Sequence, residues 1–332
     1  MIGLVRFVGW EKKSSYLANS LKVVFIQRLF DIFRWSLFYH KTMIQYIETK
    51  SILSKLTKED TWFGITYNMN LYRGCMHGCI YCDTRSECYG INDISKISVK
   101  QNALELLDKE LVSKRKNRAT IGTGSMNDPY MPIEKELQMT RKALQIIAKE
   151  KFPVHIITKS NIVERDVDIL QEISKIYAAV SFTITTADDS LSQKIEPNAP
   201  PSSERFKAIK LLAEKGIYTG ITMMPILPFI NDNKENITEI VNQAKESGAA
   251  YILPWFGMTL RKGSREYFYK SLDNNFEGIK EKYQSRFGER YECSSPNYKE
   301  LTITFKEQCY KLGIENYMRF YRPKIYVQSS FF

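Results

Sequence analysis

From Tyr67 onward, short apolar runs alternate with stretches whose apolar residues recur every three or four positions. The runs predict strands over 67–73, 119–123, 154–158, 179–185, 218–224 and 251–254. The three-and-four spacing predicts helices over 99–114, 135–150, 165–174, 203–215 and 236–247, as in Ala143, Leu144, Ile146 and Ile147. Start and stop signals support several of them. Ser202 or Ser203 precedes Glu204 and Arg205, and Gly216 and Gly248 follow the fourth and fifth helices. Repeated β–α alternation argues a parallel sheet with helices outside it. Six units rather than eight predict a partial (β/α)6 barrel of the TIM type.

In such barrels the chemistry sits on loops leaving the C-terminal ends of the strands. Those loops here hold Gly74-Cys75 to Cys82, Gly124 to Tyr130, Lys159-Ser160-Asn161, Thr186 to Asp189, Pro225 to Pro228 and Trp255-Phe256-Gly257. The opposite loops are plainer: Lys151-Phe152-Pro153, Lys215-Gly216-Ile217 and Glu246-Ser247-Gly248. This asymmetry predicts one active face. A doubly wound open sheet would want a Gly-rich phosphate turn after its first strand. Gly122-x-Gly124 follows the second strand and completes no G-x-G-x-x-G.

The first of these loops carries three of the six cysteines, Cys75, Cys79 and Cys82, in C-x3-C-x2-C spacing. Three thiolates can hold three irons of a 4Fe–4S cube, whereas such a cluster usually takes four cysteines. One iron would then be left for another ligand. Zinc is the rival, with His77 or Cys88 as a fourth tetrahedral ligand. Structural zinc sites usually come as two cysteine pairs, and no second pair is present. Six scattered cysteines in 332 residues do not make a disulfide-stapled scaffold, and their clustering points to a reducing, cytoplasmic compartment.

The 43% hydrophobic composition is ample for a full core. Net charge is +11, of which residues 1–42 carry +5, with seven Lys/Arg against two Asp/Glu. The remaining modest excess is compatible with nucleic acid without arguing for it. Residues 1–42 form a separate N-terminal extension, ahead of a barrel over 60–256 and a C-terminal extension or cap over 257–332. Residues 21–39 are apolar, but Arg28, Asp31 and Arg34 interrupt them, so a transmembrane span is not expected. Nor is there the cleavage site of a secretory signal. Either a basic amphipathic helix lies here on a membrane surface or on the protein, or translation begins at Met43.

Four motifs occur in order: Tyr67-Asn68-Met69-Asn70-Leu71-Tyr72-Arg73-Gly74-Cys75, Asn127-Asp128-Pro129-Tyr130-Met131-Pro132-Ile133-Glu134, Thr158-Lys159-Ser160, and Glu196-Pro197-x-x-Pro200. With the cysteine triplet and Tyr81 before its last member, they resemble the spore photoproduct lyase-like branch of the radical S-adenosylmethionine (SAM) superfamily. The resemblance spans roughly residues 62–255 and implies a radical SAM barrel with a mixed, mainly helical C-terminal extension. It implies a 4Fe–4S cluster on Cys75, Cys79 and Cys82, with SAM chelating the fourth iron. Tyr81 would meet adenine. Ser125, Asn127 and Asp128 would lie where the superfamily binds the methionine amino group. Lys159 would contact the SAM carboxylate, and Thr183 or Thr185 would approach the ribose. The implied reaction is reductive cleavage of SAM to a 5′-deoxyadenosyl radical that removes a substrate hydrogen. An electron donor such as flavodoxin or ferredoxin is implied, and a monomer is expected.

Taken singly, these residues have plainer readings. Asn127-Asp128-Pro129 is a good turn, a lone lysine is ordinarily solvated, and threonines are common in strands. His77 and His155 read as structural or exposed, with no acid partner visible. The resemblance also has a departure. The spore lyase returns a hydrogen through a cysteine on its second-strand loop, and the loop from Gly122 to Tyr130 has none. Thymine-dimer repair is therefore in doubt and the substrate unassigned. Cys88 would be a hydrogen donor or a buried spare thiol. Cys293 and Cys309 lack ligand spacing for a second cluster. Arg261, Lys262, Arg265, Tyr267, Phe268 and Tyr269 could stack on a nucleic acid or pack as a helical cap. A zinc- or cluster-bearing nucleic-acid-binding protein without catalysis is the alternative function.

Overall fold

A computed structural model of the chain describes residues 44–323. The expectations for residues 1–42 lie outside the described residues. The chain divides into two compact units, 1–45 and 46–332, and the first is almost wholly outside that range.

The elements, in chain order, begin with β1 (Ile44–Ile47), β2 (Leu53–Lys55), β3 (Tyr67–Met69), β4 (Tyr72–Arg73), β5 (Ile97–Lys100) and α1 (Ala103–Ser113). Next come β6 (Ile121–Thr123), α2 (Glu134–Leu137), α3 (Met139–Glu150), β7 (Val154–Thr158), α4 (Val167–Ser174) and β8 (Ala178–Thr183). The barrel finishes with α5 (Asp189–Ile195), α6 (Ser202–Glu214), β9 (Tyr218–Met223), α7 (Lys234–Glu246) and β10 (Tyr251–Pro254). The C-terminal extension contributes β11 (Gly257–Thr259), α8 (Ser264–Asn275), α9 (Ile279–Phe287), β12 (Glu292–Ser294) and α10 (Tyr298–Leu312).

One sheet runs β10-β9-β8-β7-β6-β3-β2. Its six strands from β3 to β10 are parallel, and β2 caps the edge antiparallel to β3. This is the expected partial (β/α)6 barrel with a largely helical C-terminal extension. The strands are buried on both faces, as a helix-covered parallel sheet requires: all six residues of β8 are buried. Opposite them α3 buries Met139, Ala143, Leu144 and Ile147, and α7 buries Ile237, Ile240, Val241 and Ala244. Each fully buried Leu, Ile or Val stabilises the fold by about 1.5–3 kcal/mol. In β9, Gly220 lets the Tyr251 ring approach; a Cβ there would lie 2.4 Å from it. The far edge, β10, is covered by the descending chain, where Ile252 N–H donates to the Glu315 carbonyl at 2.9 Å.

Several elements depart from the periodicity. The strand expected over 67–73 breaks in two. β3 stays in the main sheet, while β4 turns out to pair antiparallel with β5, Tyr72 opposite Val99. The Tyr72 hydroxyl donates to buried Glu134, and the Asn127 amide donates to the Tyr72 carbonyl at 2.7 Å. These long-range anchors swing the chain across the barrel end. Ile97–Lys100 is a strand rather than the approach to a helix, with Ile97 and Val99 buried in alternation. The helix expected over 135–150 breaks at Gln138, whose φ is 51°. Asp188 starts the unexpected α5 by accepting from the Ser190 and Leu191 amides at 2.7 and 3.2 Å.

The C-terminal extension reaches back to the cysteine loop. Ile80 packs in one apolar cluster with Ile195, Leu227, Met258, Phe268 and Tyr283. Asp232, on the loop after β9, accepts from the Ser295 hydroxyl at 2.6 Å. The extension is thus fastened to the face where the strand ends gather.

Candidate active site

The cysteine loop begins with a backbone constraint. Gly74 has φ +89°, and a Cβ there would sit 2.5 Å from the Lys96 carbonyl oxygen, so the turn demands glycine. The Cys75 amide then donates to the Ile94 carbonyl at 2.8 Å. Cys75, Cys79 and Cys82 are all free thiols and all line one cleft of about 380 Å³ at the C-terminal end of the barrel. The other three cysteines are not in it.

Burial pushes the Cys75 thiol up to about 11, with the Asp128 carboxylate adding to the shift, and pushes Cys79 up further. A metal that takes these sulfurs must displace their protons. Among the described residues, no three His, Cys, Asp or Glu side chains gather closely enough to hold a single ion. A cube presents its irons at separate corners, so its thiolates stand farther apart than ligands of one zinc. Three sulfurs around one cleft, without a fourth thiol, fit a 4Fe–4S cluster with one open corner.

The expected site residues converge unequally. Asp128 is buried and makes the central polar anchor. It accepts from the Thr158 hydroxyl (2.7 Å), the Lys159 amide (2.7 Å) and the Tyr130 amide (2.9 Å). His77 Nε2 stands 3.1 Å from Oδ2, the oxygen that also takes the Lys159 amide, so His77 does have an acid partner, contrary to the sequence reading. Burial opposes ionisation of Asp128, but His77, Thr158 and the Lys159 amide outweigh it and hold the carboxyl well below its usual range. Asn127 lines the cleft, yet its amide nitrogen is committed to the Tyr72 carbonyl. Ser125 sits at the edge, exchanging hydrogen bonds with the Asn68 amide at 2.7 and 3.0 Å.

Lys159 reaches into the cleft with its ammonium 5.7 Å from the centre of the Tyr81 ring. Burial works against its charge, while the Cys79 sulfur and the Glu196 and Asp128 carboxylates outweigh that and hold its pKa above normal. Thr183 ends β8 at the cleft, its hydroxyl 3.0 Å from that of Thr222. Thr185 does not line the cleft. The strand stops at Thr183, and Thr185 lies wholly buried, its carbonyl accepting from the Asn231 and Asn236 amides. Cys88 is likewise not in the cleft, nor is it buried: it is exposed, 3.3 Å from Arg261 Nη1. Proximity in sequence to Cys82 did not carry it into the site, because two turns of 3-10 helix lead the chain away.

Sequence reasoning missed other lining residues. Met224 and Trp255 come from the ends of β9 and β10, and Met258 and Thr259 from β11. The strand-end rule pointed to the first two loops without singling out those side chains. The β11 residues had no signal, because they arrive from the C-terminal extension.

Residues 69–242, just over half of the chain, match the Radical SAM superfamily. An uncharacterized protein of Methanocaldococcus jannaschii is 30% identical over 222 residues, covering 66% of this chain and 81% of its own. The Radical SAM Nalpha-GlyT isomerase of Pseudomonas phage M6 is 27% identical over 156 residues, covering 47% of this chain and 32% of that protein. Among solved structures, a variant of spore photoproduct lyase with bound AdoMet and dinucleoside spore photoproduct has the same fold. It aligns at a TM-score of 0.62 with 16% identity over 83% of this chain and 82% of the lyase. A family match of that length, on a barrel with a cysteine-lined cleft at its strand ends, places the chain among the enzymes of the radical SAM superfamily.

Proposed function

We propose that this chain holds a 4Fe–4S cluster on Cys75, Cys79 and Cys82, binds SAM in the adjoining cleft, and acts on a nucleic-acid base. The observation that carries the reading is the convergence of three sulfurs, the Lys159 ammonium and the Thr183 hydroxyl on one cleft. When bound, the cluster and SAM supply reductive C5′–S cleavage and hydrogen abstraction by the resulting 5′-deoxyadenosyl radical.

The protein's own part is to bind, orient and shield. The Lys159 ammonium faces the cleft as a partner for the SAM carboxylate. Ser125 offers a hydroxyl for the amino group, Tyr81 an aromatic wall and Thr183 a hydroxyl for the ribose. Met224, Trp255 and Met258 form an apolar wall that excludes water. Holding reactants in register can account for about 7–11 kcal/mol of a barrier.

The substrate reading rests on the rim. The Arg85 guanidinium stacks 3.6 Å above the Tyr267 ring, and Arg261 lies 4.6 Å from the ring of Tyr291 and 5.8 Å from that of Tyr89. Asp83 joins this cluster to the cleft, since it lines the cleft and accepts from the Tyr89 hydroxyl at 3.1 Å. Cations interleaved with aromatic faces suit a polyanion with stacking bases. The lyase solved with a dinucleoside photoproduct supports the same class. A flavodoxin- or ferredoxin-type donor would supply the electron to a monomer. Free thiols fit a reducing, cytoplasmic compartment, and no helix among the described residues is long and apolar enough to cross a membrane.

The test is anaerobic purification with assays of iron, sulfide and zinc, then reduction with SAM and a deuterated oligonucleotide. The expected result is a brown protein that forms 5′-deoxyadenosine carrying deuterium. A colourless zinc protein that binds oligonucleotide without cleaving SAM would leave the non-catalytic alternative standing.

A further inference from the structure

Residues 195–200 back the cysteine loop through bonds that fall between its candidate ligands. The Ile80 amide donates to the Ile195 carbonyl at 2.9 Å. The Asn198 amide donates to the His77 carbonyl at 3.0 Å, and its side chain donates to the Met76 carbonyl at 3.0 Å. Gly78 has φ +70°, and a Cβ there would sit 3.0 Å from the Asn198 side chain, so the two segments lie in close contact. The Tyr81 hydroxyl donates to Glu196.

Glu196 is in turn held by Arg205, on α6. Arg205 Nη1 lies 2.5 Å from Glu196 Oε2, and both side chains are fully buried. The same guanidinium donates to the Pro200 carbonyl at 2.8 Å and to the Thr183 carbonyl at 2.9 Å. A buried pair away from solvent is unscreened and must have well-placed partners to persist. Its partners here are informative. Tyr81 and Thr183 line the cleft from opposite starting points, the first barrel strand and the fourth, whereas Glu196 and Arg205 do not line it.

We infer that Glu196 and Arg205 are positioning residues that lock Tyr81 to the end of β8, and so set the spacing between the cluster loop and the ribose side of the SAM cleft. The inference rests on the cluster-and-SAM reading above. Neither residue touches the reacting groups. Their effect passes through Tyr81 on one side and the Thr183 backbone on the other.

The experiment compares wild type, Tyr81→Phe, Glu196→Gln and the double variant, all reconstituted without oxygen. Iron content, thermal midpoint, KM and kcat for 5′-deoxyadenosine formation, and the EPR change of the reduced cluster on adding SAM are read for each. Tyr81→Phe removes only a hydroxyl; it is expected to keep full iron and to raise KM for SAM about tenfold, the loss of one hydrogen bond to a charged group. Its SAM-induced EPR change is expected to be altered. Glu196→Gln is expected to give the same altered EPR change, and the double variant to be no worse than Glu196→Gln alone, because the two act as one unit. Wild-type KM and EPR response in Tyr81→Phe would overturn the inference, as would a Glu196→Gln protein that loses stability and iron while its folded fraction binds SAM normally. A wild-type protein that holds no cluster or binds no SAM would instead overturn the underlying reading, and the inference with it.

Discussion

His77 Nε2 and Asp128 Oδ2 lie 3.1 Å apart, both buried, one between Cys75 and Cys79 and the other on the loop after β6. Through Thr158 and the Lys159 amide the same carboxylate also grips the end of β7. Three neighbouring loops of the active face are therefore joined at one side chain. Asp128→Asn keeps the shape but places an amide donor against other donors. Breaking a buried charged contact typically costs about 3–5 kcal/mol, so the metal-free variant is expected to lose about 3 kcal/mol in anaerobic urea unfolding. A loss under about 1 kcal/mol would contradict this anchoring role.

Cys79→Ala and Cys309→Ala separate the cleft thiols from the packed ones. Cys79 lines the cleft, whereas Cys309 is buried on α10 and lines no part of it. Cys79→Ala is expected to abolish SAM cleavage and most iron binding. Cys309→Ala is expected to keep both, with about 1 kcal/mol lost to a small cavity. Equal loss of activity in the two proteins would refute the ligand assignment.

The β–α alternation was legible because Val154–Thr158 and Tyr251–Pro254 are short apolar runs whose burial is local to their own strands. The break at Tyr72 was not, since it depends on Glu134, 62 residues away. Ile97 and Val99 misled for a different reason: their alternation runs directly into the amphipathic α1, and two periods overlap. In the site, the cysteines announce themselves by spacing. Asp128 alone reads as a turn residue, and the partners that give it another part come from elsewhere in the chain, His77 from the cysteine loop and Thr158 from β7. Glu196 offers no local sign at all of the Arg205 that pairs with it across a helix start.

Burial alone holds His155 down to about 3, far below its ordinary 6.5. Its Nε2 contacts the Ser181 hydroxyl at 2.7 Å, which in turn meets the Tyr251 hydroxyl at 2.6 Å, and Phe63 packs on the ring. Between those two pH values the unfolded chain binds a proton that the folded chain refuses. Stability from this residue is complete above pH 6.5 and falls as pH drops toward 3, by up to about 1.4 kcal/mol per unit. Urea midpoints at pH 7 and pH 5 should show that slope in the wild type. It should be reduced in His155→Gln, even though that variant starts less stable at pH 7. An unchanged slope would remove His155 as its source.

If the rim carries nucleic acid, Arg261 is one of its phosphate contacts, held against Tyr291 by a 2.6 Å bond to the phenol. Arg261→Ala should weaken oligonucleotide binding and lower the slope of log affinity against log salt by about one unit. Arg261→Lys should restore the slope, while recovering less of the affinity, because lysine stacks poorly on a ring. Filter binding over a range of salt decides it; an unaltered slope in the alanine variant would take Arg261 out of the interface.

Gly124 and Gly216 both have positive φ, +92° and +76°, but their surroundings differ. Around Gly216 nothing lies within 4 Å of an added Cβ, so alanine there meets only the backbone penalty, about 1–2 kcal/mol. At Gly124 the Cβ would lie 2.2 Å from the Ile157 carbonyl oxygen, which belongs to β7 and cannot swing aside like a side-chain tip. Gly124 also opens the loop that carries Ser125, Asn127 and Asp128, so relief of the clash must displace that loop from the cleft. Gly216→Ala is therefore expected to lose about 1–2 kcal/mol with normal SAM affinity. Gly124→Ala is expected to lose more than that and to bind SAM at least about tenfold more weakly. Equal stability losses in the two variants, with SAM binding intact in both, would mean that the close approach of β6 and β7 is not what sets the geometry of this loop.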